Sequence, residues 1–124
     1  MNKLDELIEL EIEARNFGFE WPNIDIILEQ VISECAEIKD AIENKTSHDV
    51  QEEIGDLIHT AISLCRFAGY DAKETLHKTV HKFSTRMNSL KIIALERGLA
   101  SLKNQSPEFL LELWHEAKKR TKAK

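Results

Sequence analysis

Apolar residues recur every three to four positions in five stretches of this chain, and the residues between the stretches are ones that end helices. Leu4, Leu7, Ile8 and Ile12 mark a first amphipathic segment over about residues 3–16, broken by Gly18 and Trp21-Pro22. Asn23 can cap a second helix reaching about Asn44, with Ile24, Leu28, Val31, Cys35, Ile38 and Ile42 along one stripe. Thr46 and Ser47 are candidate caps for a third, whose stripe runs from Val50 through Ile54, Leu57, Ala61 and Leu64 to Ala68 before a left-handed stop at Gly69. Asp71 with Glu74 opens a fourth, carrying Leu76, Val80, Phe83, Met87, Leu90 and Ala94 and ended by Gly98. Ser106-Pro107 starts a last short helix through Trp114. Only four glycines and two prolines occur in 124 residues. The pattern predicts an all-α fold, a single-domain helical bundle of about four to five helices over residues 1–124.

Composition removes several classes of function. A net charge of −5 argues against a general nucleic-acid binder, and the basic run Lys118-Lys119-Arg120 suits an ordinary helix end. No apolar run approaches membrane-spanning length, and the acidic, amphipathic N-terminus has neither the basic nor the apolar part of a secretory signal. Cys35 and Cys65 sit on the apolar stripes without zinc or CxxC spacing, so both are expected to be reduced core thiols. A cytoplasmic protein is the expectation.

Two acidic pairs carry the chemistry. Glu34/Glu37 and Glu53/Asp56 each have i, i+3 spacing beside an apolar stripe. With Glu34 at zero on a helical wheel, the second-helix stripe covers about 40° to 120° and Glu37 lies at about 300°. With Glu53 at zero, the third-helix stripe centres near about 80°, and Asp56 again lies at about 300°. For a turn near residues 44–47, Glu37 and Glu53 are each about 10 Å from it, so Glu37 should face Glu53 and Glu34 should face Asp56. Like charges about 5 Å apart cost about 3 kcal/mol at an effective dielectric near 20, so the carboxylates either splay into water or share a divalent cation. All-oxygen ligation suits Mg²⁺, with Mn²⁺ a second candidate, over zinc.

Other polar groups are less specific. Lys82 and Arg86 are i, i+4 neighbours beside the fourth stripe and suit either a phosphate chain or a solvated flank. Trp114 and Lys118 repeat that spacing: an aromatic face and a cation for a nucleotide, or a core Trp beside a surface Lys. Asp56-x-x-His59 has the spacing of a di-iron ligand pair, but His59 points about 60° further from the stripe and no second such motif exists. There is no glycine-rich phosphate loop or nucleophile elbow.

Taken together, Gly18-Phe19-Glu20-Trp21-Pro22, the stretch from Val31 through Glu34 and Glu37 to Ala41-Ile42, and Glu52-Glu53-Ile54-Gly55-Asp56-Leu57 resemble the MazG-type nucleoside triphosphate pyrophosphohydrolases. The likeness continues through Lys82-Phe83, Arg86, Glu96-Arg97-Gly98-Leu99, Leu113-Trp114 and Lys118, covering about residues 17–120 in order; residues 1–16 form an extra N-terminal helix outside it. The resemblance implies an α-helical homodimer or homotetramer that hydrolyses an NTP or dNTP to the monophosphate and pyrophosphate with Mg²⁺, as housecleaning or nucleotide-pool control. It implies Glu34, Glu37, Glu53 and Asp56 as metal-binding and catalytic residues, Lys82 and Arg86 on phosphate, and Trp114 and Lys118 on the nucleotide. Two positions depart from the family pattern: Ser33 stands where an extra Glu is frequent, and Val80 where an Asn is common. Two alternatives stay open: a related helical pyrophosphohydrolase of dUTP, dCTP or phosphoribosyl-ATP, or a catalytically silent helical interaction module.

Overall fold

Each helix leaves its first amides without intrahelical partners, and the side chains that accept from them fix where the elements begin. The computed structural model describes residues 2–44 and 47–122. Its elements are α1 (Lys3–Phe17), α2 (Ile24–Asn44), α3 (Ser47–Phe67), α4 (Ala72–Glu96) and α5 (Pro107–Arg120), with no strand among the described residues. The Asn23 side chain accepts from the Ile26 amide at 3.0 Å, and Asp71 Oδ1 accepts from the amides of Lys73 and Glu74 at 2.8 and 3.0 Å. Ser106 accepts from the Phe109 amide at 3.2 Å, with Pro107 as the first residue of α5. These are the expected caps. Thr46 lies outside the described residues, and Ser47 is the first residue of α3. Asn2 caps α1 in addition, accepting from the Asp5 amide at 2.8 Å. Gly18, Gly69 and Gly98 have φ of 101°, 93° and 76°, the left-handed backbone that lets a helix end without straining a Cβ.

The chain divides into two compact units, Met1–Thr75 and Leu76–Lys124. In the first, α2 and α3 pack against each other. The buried positions of α2 are Ile27, Glu34 and Ala41, a line with seven-residue spacing that places Glu34 in the interior rather than on its flank. That line lies at about 20°, 0° and 340° on the wheel, away from the expected stripe. Ile24, Leu28 and Ile42 remain 40%, 43% and 65% exposed, and Ile54 on α3 is 41% exposed. Cys35 is exposed too, which corrects the expectation of a core thiol; Cys65 is half-buried, and both are free. On α3 the buried side chains are polar, Thr60 and Ser63.

The second unit has the more ordinary core. Ile93 of α4 packs with Leu113 and Ala117 of α5, all fully buried, with Leu90, Leu102, Phe109 and Trp114 around them. α5 continues past Trp114, its expected end, to Arg120. Arg120 donates to both oxygens of Glu96, at 2.9 and 2.7 Å, a fork-to-carboxylate pair that ties the last turn of α5 to the end of α4.

Leu113→Ala should cost about 2–5 kcal/mol of unfolding free energy in denaturant titrations, since it empties a fully enclosed site; a loss well under 1 kcal/mol would contradict this packing. The Arg120 hydrogen bond holds the Glu96 carboxyl below its ordinary value of 4.5. A lowered acid contributes stability above its unfolded pKa and loses it as pH falls through the folded value. Glu96→Gln should therefore lower Tm slightly at pH 7, by an amount that solvent screening keeps small, and the difference from wild type should fade as the pH falls below the ordinary carboxylate range. An offset that persists in acid would contradict the carboxylate as its source.

Candidate metal centre

The interior line of α2 meets α3 at three carboxylates. One oxygen each from Glu34, Glu37 and Glu53 lies within 4.8 Å of the others. Their surroundings differ in a way that suits a bound cation. Glu34 is 5% exposed, Glu53 is half-buried and Glu37 faces solvent, so the group runs from the interior to the surface. Gln30, one turn earlier on α2, donates its amide to Glu34 Oε1 at 2.7 Å and fixes that side chain. Glu34 Oε2 is buried and accepts no hydrogen bond. An unmet acceptor of this kind is costly, and more so when it carries charge. Repulsion between two carboxylates 4.8 Å apart is about 3 kcal/mol at an effective dielectric near 20. A hard divalent cation answers both costs, and an all-oxygen donor set is what such ions take.

Glu37 and Glu53 are brought together as the helical geometry predicted. Asp56 stands outside the group within 4.8 Å; it is exposed on α3 and borders, with Glu34, a cavity of about 570 Å³. Ser33, next to Glu34, is exposed.

The cavity is mostly apolar, with Phe19, Trp21 and Ile26 on its wall, and it has a polar side that the sequence did not reveal. Glu11 of α1 reaches α3 there: Ser63 donates to Glu11 Oε2, His59 Nε2 lies 3.3 Å from the same oxygen, and Arg66 Nε lies 3.1 Å from Glu11 Oε1. Ser63 and Glu11 are 52 positions apart, and no local spacing signals such a pair. His59, set aside as a metal ligand, belongs to this group.

The other expected site residues lie in the second unit. Arg86 Cζ and Lys118 Nζ each stand 6.0 Å from the centre of the Trp114 ring, and the Phe83 ring is 6.1 Å away, tilted by 58°. The Trp114 ring borders the α4–α5 core and also carries two cations. Lys82 is exposed on α4, and so is Val80.

Adding Mg²⁺ or Mn²⁺ should raise Tm in proportion to the logarithm of metal concentration once the site is filled. Glu34→Gln should remove most of that rise while leaving the metal-free protein at least as stable, because it relieves one charge of the cluster. Equal metal-induced shifts in both proteins would dismiss the cluster as the binding site.

Comparison with known proteins agrees with this geometry. A family model described as the MazG nucleotide pyrophosphohydrolase domain matches residues 23–90, which include all four acidic residues together with Lys82 and Arg86. The chain is 30% identical over 109 residues to the nucleoside triphosphate pyrophosphohydrolase/pyrophosphatase MazG of Thermotoga maritima, covering 88% of this chain and 41% of that protein. It is 27% identical over 115 residues to the nucleoside triphosphate pyrophosphohydrolase of Escherichia coli K12, covering 90% of this chain and 43% of that protein. A Bacillus subtilis protein, YabN, is 32% identical over 71 residues, 57% of this chain and 14% of its own length. The chain thus spans about two fifths of the length of the first two relatives. With residues 23–90 matched and three carboxylates converging inside that segment, the chain belongs to the MazG nucleotide pyrophosphohydrolase domain family.

Proposed function

We propose that this chain is a Mg²⁺-dependent nucleotide pyrophosphohydrolase that converts an NTP or dNTP to its monophosphate and pyrophosphate, in housecleaning or nucleotide-pool control. The observation that carries the reading is the convergence of Glu34, Glu37 and Glu53 within the segment that matches the family. Asp56 completes the set, as the resemblance implies. Residues 1–124 act as one domain in this proposal, because the family segment runs through the division inside α4. No helix among the described residues is long and apolar enough to cross a membrane, and a cytoplasmic setting follows from the nucleotide substrate.

Glu34, Glu37, Glu53 and Asp56 would hold a divalent cation, Mg²⁺ or in its place Mn²⁺, which would supply charge neutralisation on the phosphate chain and would acidify a water. The protein's own groups do the rest. Gln30 orients Glu34 through its amide. A carboxylate of the set takes the proton of the attacking water as its oxygen bonds to the α-phosphorus. The bond from that phosphorus to the bridging oxygen breaks, and pyrophosphate leaves with the electron pair. Lys82 and Arg86 hold phosphate, and Trp114 and Lys118 contact the nucleotide. The exposed apolar positions of α2 and α3, among them Ile32 at 70% and Ile58 at 58%, support a homodimer or homotetramer in which another copy covers them.

Incubation with a panel of NTPs and dNTPs plus Mg²⁺ should release pyrophosphate from at least one of them. Glu37→Gln and Asp56→Asn should each lower turnover by at least about 100-fold with helical circular dichroism unchanged. A folded wild-type protein inert towards the whole panel would refute the activity, and turnover surviving both substitutions would refute the site.

A further inference from the structure

The cavity beside the carboxylates is not accounted for by phosphate chemistry. Its volume of about 570 Å³ falls within the usual range for small-molecule sites, and its lining joins an aromatic and aliphatic wall to a few fixed polar groups. Glu34 borders the cavity and belongs to the carboxylate cluster, so a ligand held by its phosphates at the cluster has the cavity next to it. The polar side is rich in donors. Glu11 Oε2 accepts from Ser63 with His59 beside it, while Oε1 faces Arg66 as an ion pair without a hydrogen bond. Arg66 offers donors to the cavity: its side chain is 23% exposed, its Nε lies 3.1 Å from Glu11 Oε1, and among the described residues its guanidinium makes no hydrogen bond. A guanidinium only donates, and its planar fork matches two acceptors side by side.

We propose that this cavity receives the nucleoside of the substrate, that Arg66 reads its base, and that Glu11 is the residue positioning Arg66. The preferred substrates are then purines whose O6 and N7 stand side by side as acceptors, as in hypoxanthine and guanine. Adenine presents an amino group in place of that oxo group, which turns a donor towards a donor. Apolar contact with Phe19, Trp21 and Ile26 binds the ring faces of either class. This inference rests on the nucleotide reading above and adds to it a choice of base, made with the help of α1, which lies outside the matched segment.

Trp21 provides a direct test. Its fluorescence can be followed in the wild-type protein, with Trp21→Phe as the control that leaves Trp114 alone, while nucleosides are titrated without phosphate or metal. Saturable quenching should favour inosine over adenosine by about tenfold, the scale of one charged hydrogen bond. Quenching no different from that of free N-acetyltryptophanamide would overturn the pocket, and equal affinities for both classes would overturn the role of Arg66. In turnover, Arg66→Lys keeps the charge without the fork and should reduce the preference of ITP over ATP to about twofold, through KM with kcat little changed. Glu11→Gln should produce the same loss with Arg66 still present; an unchanged ratio in Arg66→Lys would overturn the assignment. Nucleoside binding with this preference but no pyrophosphate release would refute the hydrolase and keep the pocket, whereas turnover without base preference would do the reverse.

Discussion

Crowding of like charge between α2 and α3 is the constraint around which the first unit is organised. Glu34 lies on the buried line of α2 between Ile27 and Ala41, where an apolar side chain would be the default. A carboxylate in that place lowers the stability of the isolated chain, because it is desolvated and faces Glu37 and Glu53 within 4.8 Å. Gln30 relieves only one of its oxygens. Such a cost persists where the strained arrangement is what the site requires, and here it keeps a set of oxygen donors in place before any ligand arrives.

The interior of the first unit mixes polar with apolar side chains, Glu34, Thr60 and Ser63 beside Ile27, Ala41 and Ala72. Below the carboxylates α3 buries Thr60 and Ser63 instead of aliphatic residues. Thr60 satisfies its hydroxyl on the Asp56 carbonyl at 2.9 Å, and Ser63 satisfies its own on Glu11. Apolar residues that a monomeric bundle would turn inward are left half in water along α2 and α3. The second unit shows what the chain builds without that demand, a small aliphatic core of Ile93, Leu113 and Ala117 closed by an Arg120–Glu96 clamp.

Helix boundaries were legible because they depend on local chemistry: Asn23, Asp71 and Ser106 cap, and three glycines stop, within one turn of where they stand in the sequence. The pairing of Glu37 with Glu53 was legible for a related reason, since helical rise and a short connection fix both angle and height. The buried line of α2 was not. Periodicity locates the apolar face of a helix, but not which edge of it turns inward when another face is reserved for something else. Ile24, Leu28 and Ile42 form the more regular stripe, yet Ile27, Glu34 and Ala41 are the buried set. Cys35 was misplaced with that stripe.

The group around Glu11 marks a second limit. Each of its members looks ordinary in sequence: a Glu on an acidic helix, a His, a Ser and an Arg on another. Only tertiary packing of α1 on α3 brings them together, across 52 positions in the case of Ser63. Glu11 Oε2 accepts from Ser63, while Oε1 faces the Arg66 guanidinium 3.1 Å away without a hydrogen bond, so charge draws the arginine towards α1. The carboxylates of α2 and α3 lie inside the segment that the family model matches, and Glu11 lies before it. Since Glu34 and Glu11 both line the cavity, its wall is built jointly by the matched segment and the helix that precedes it.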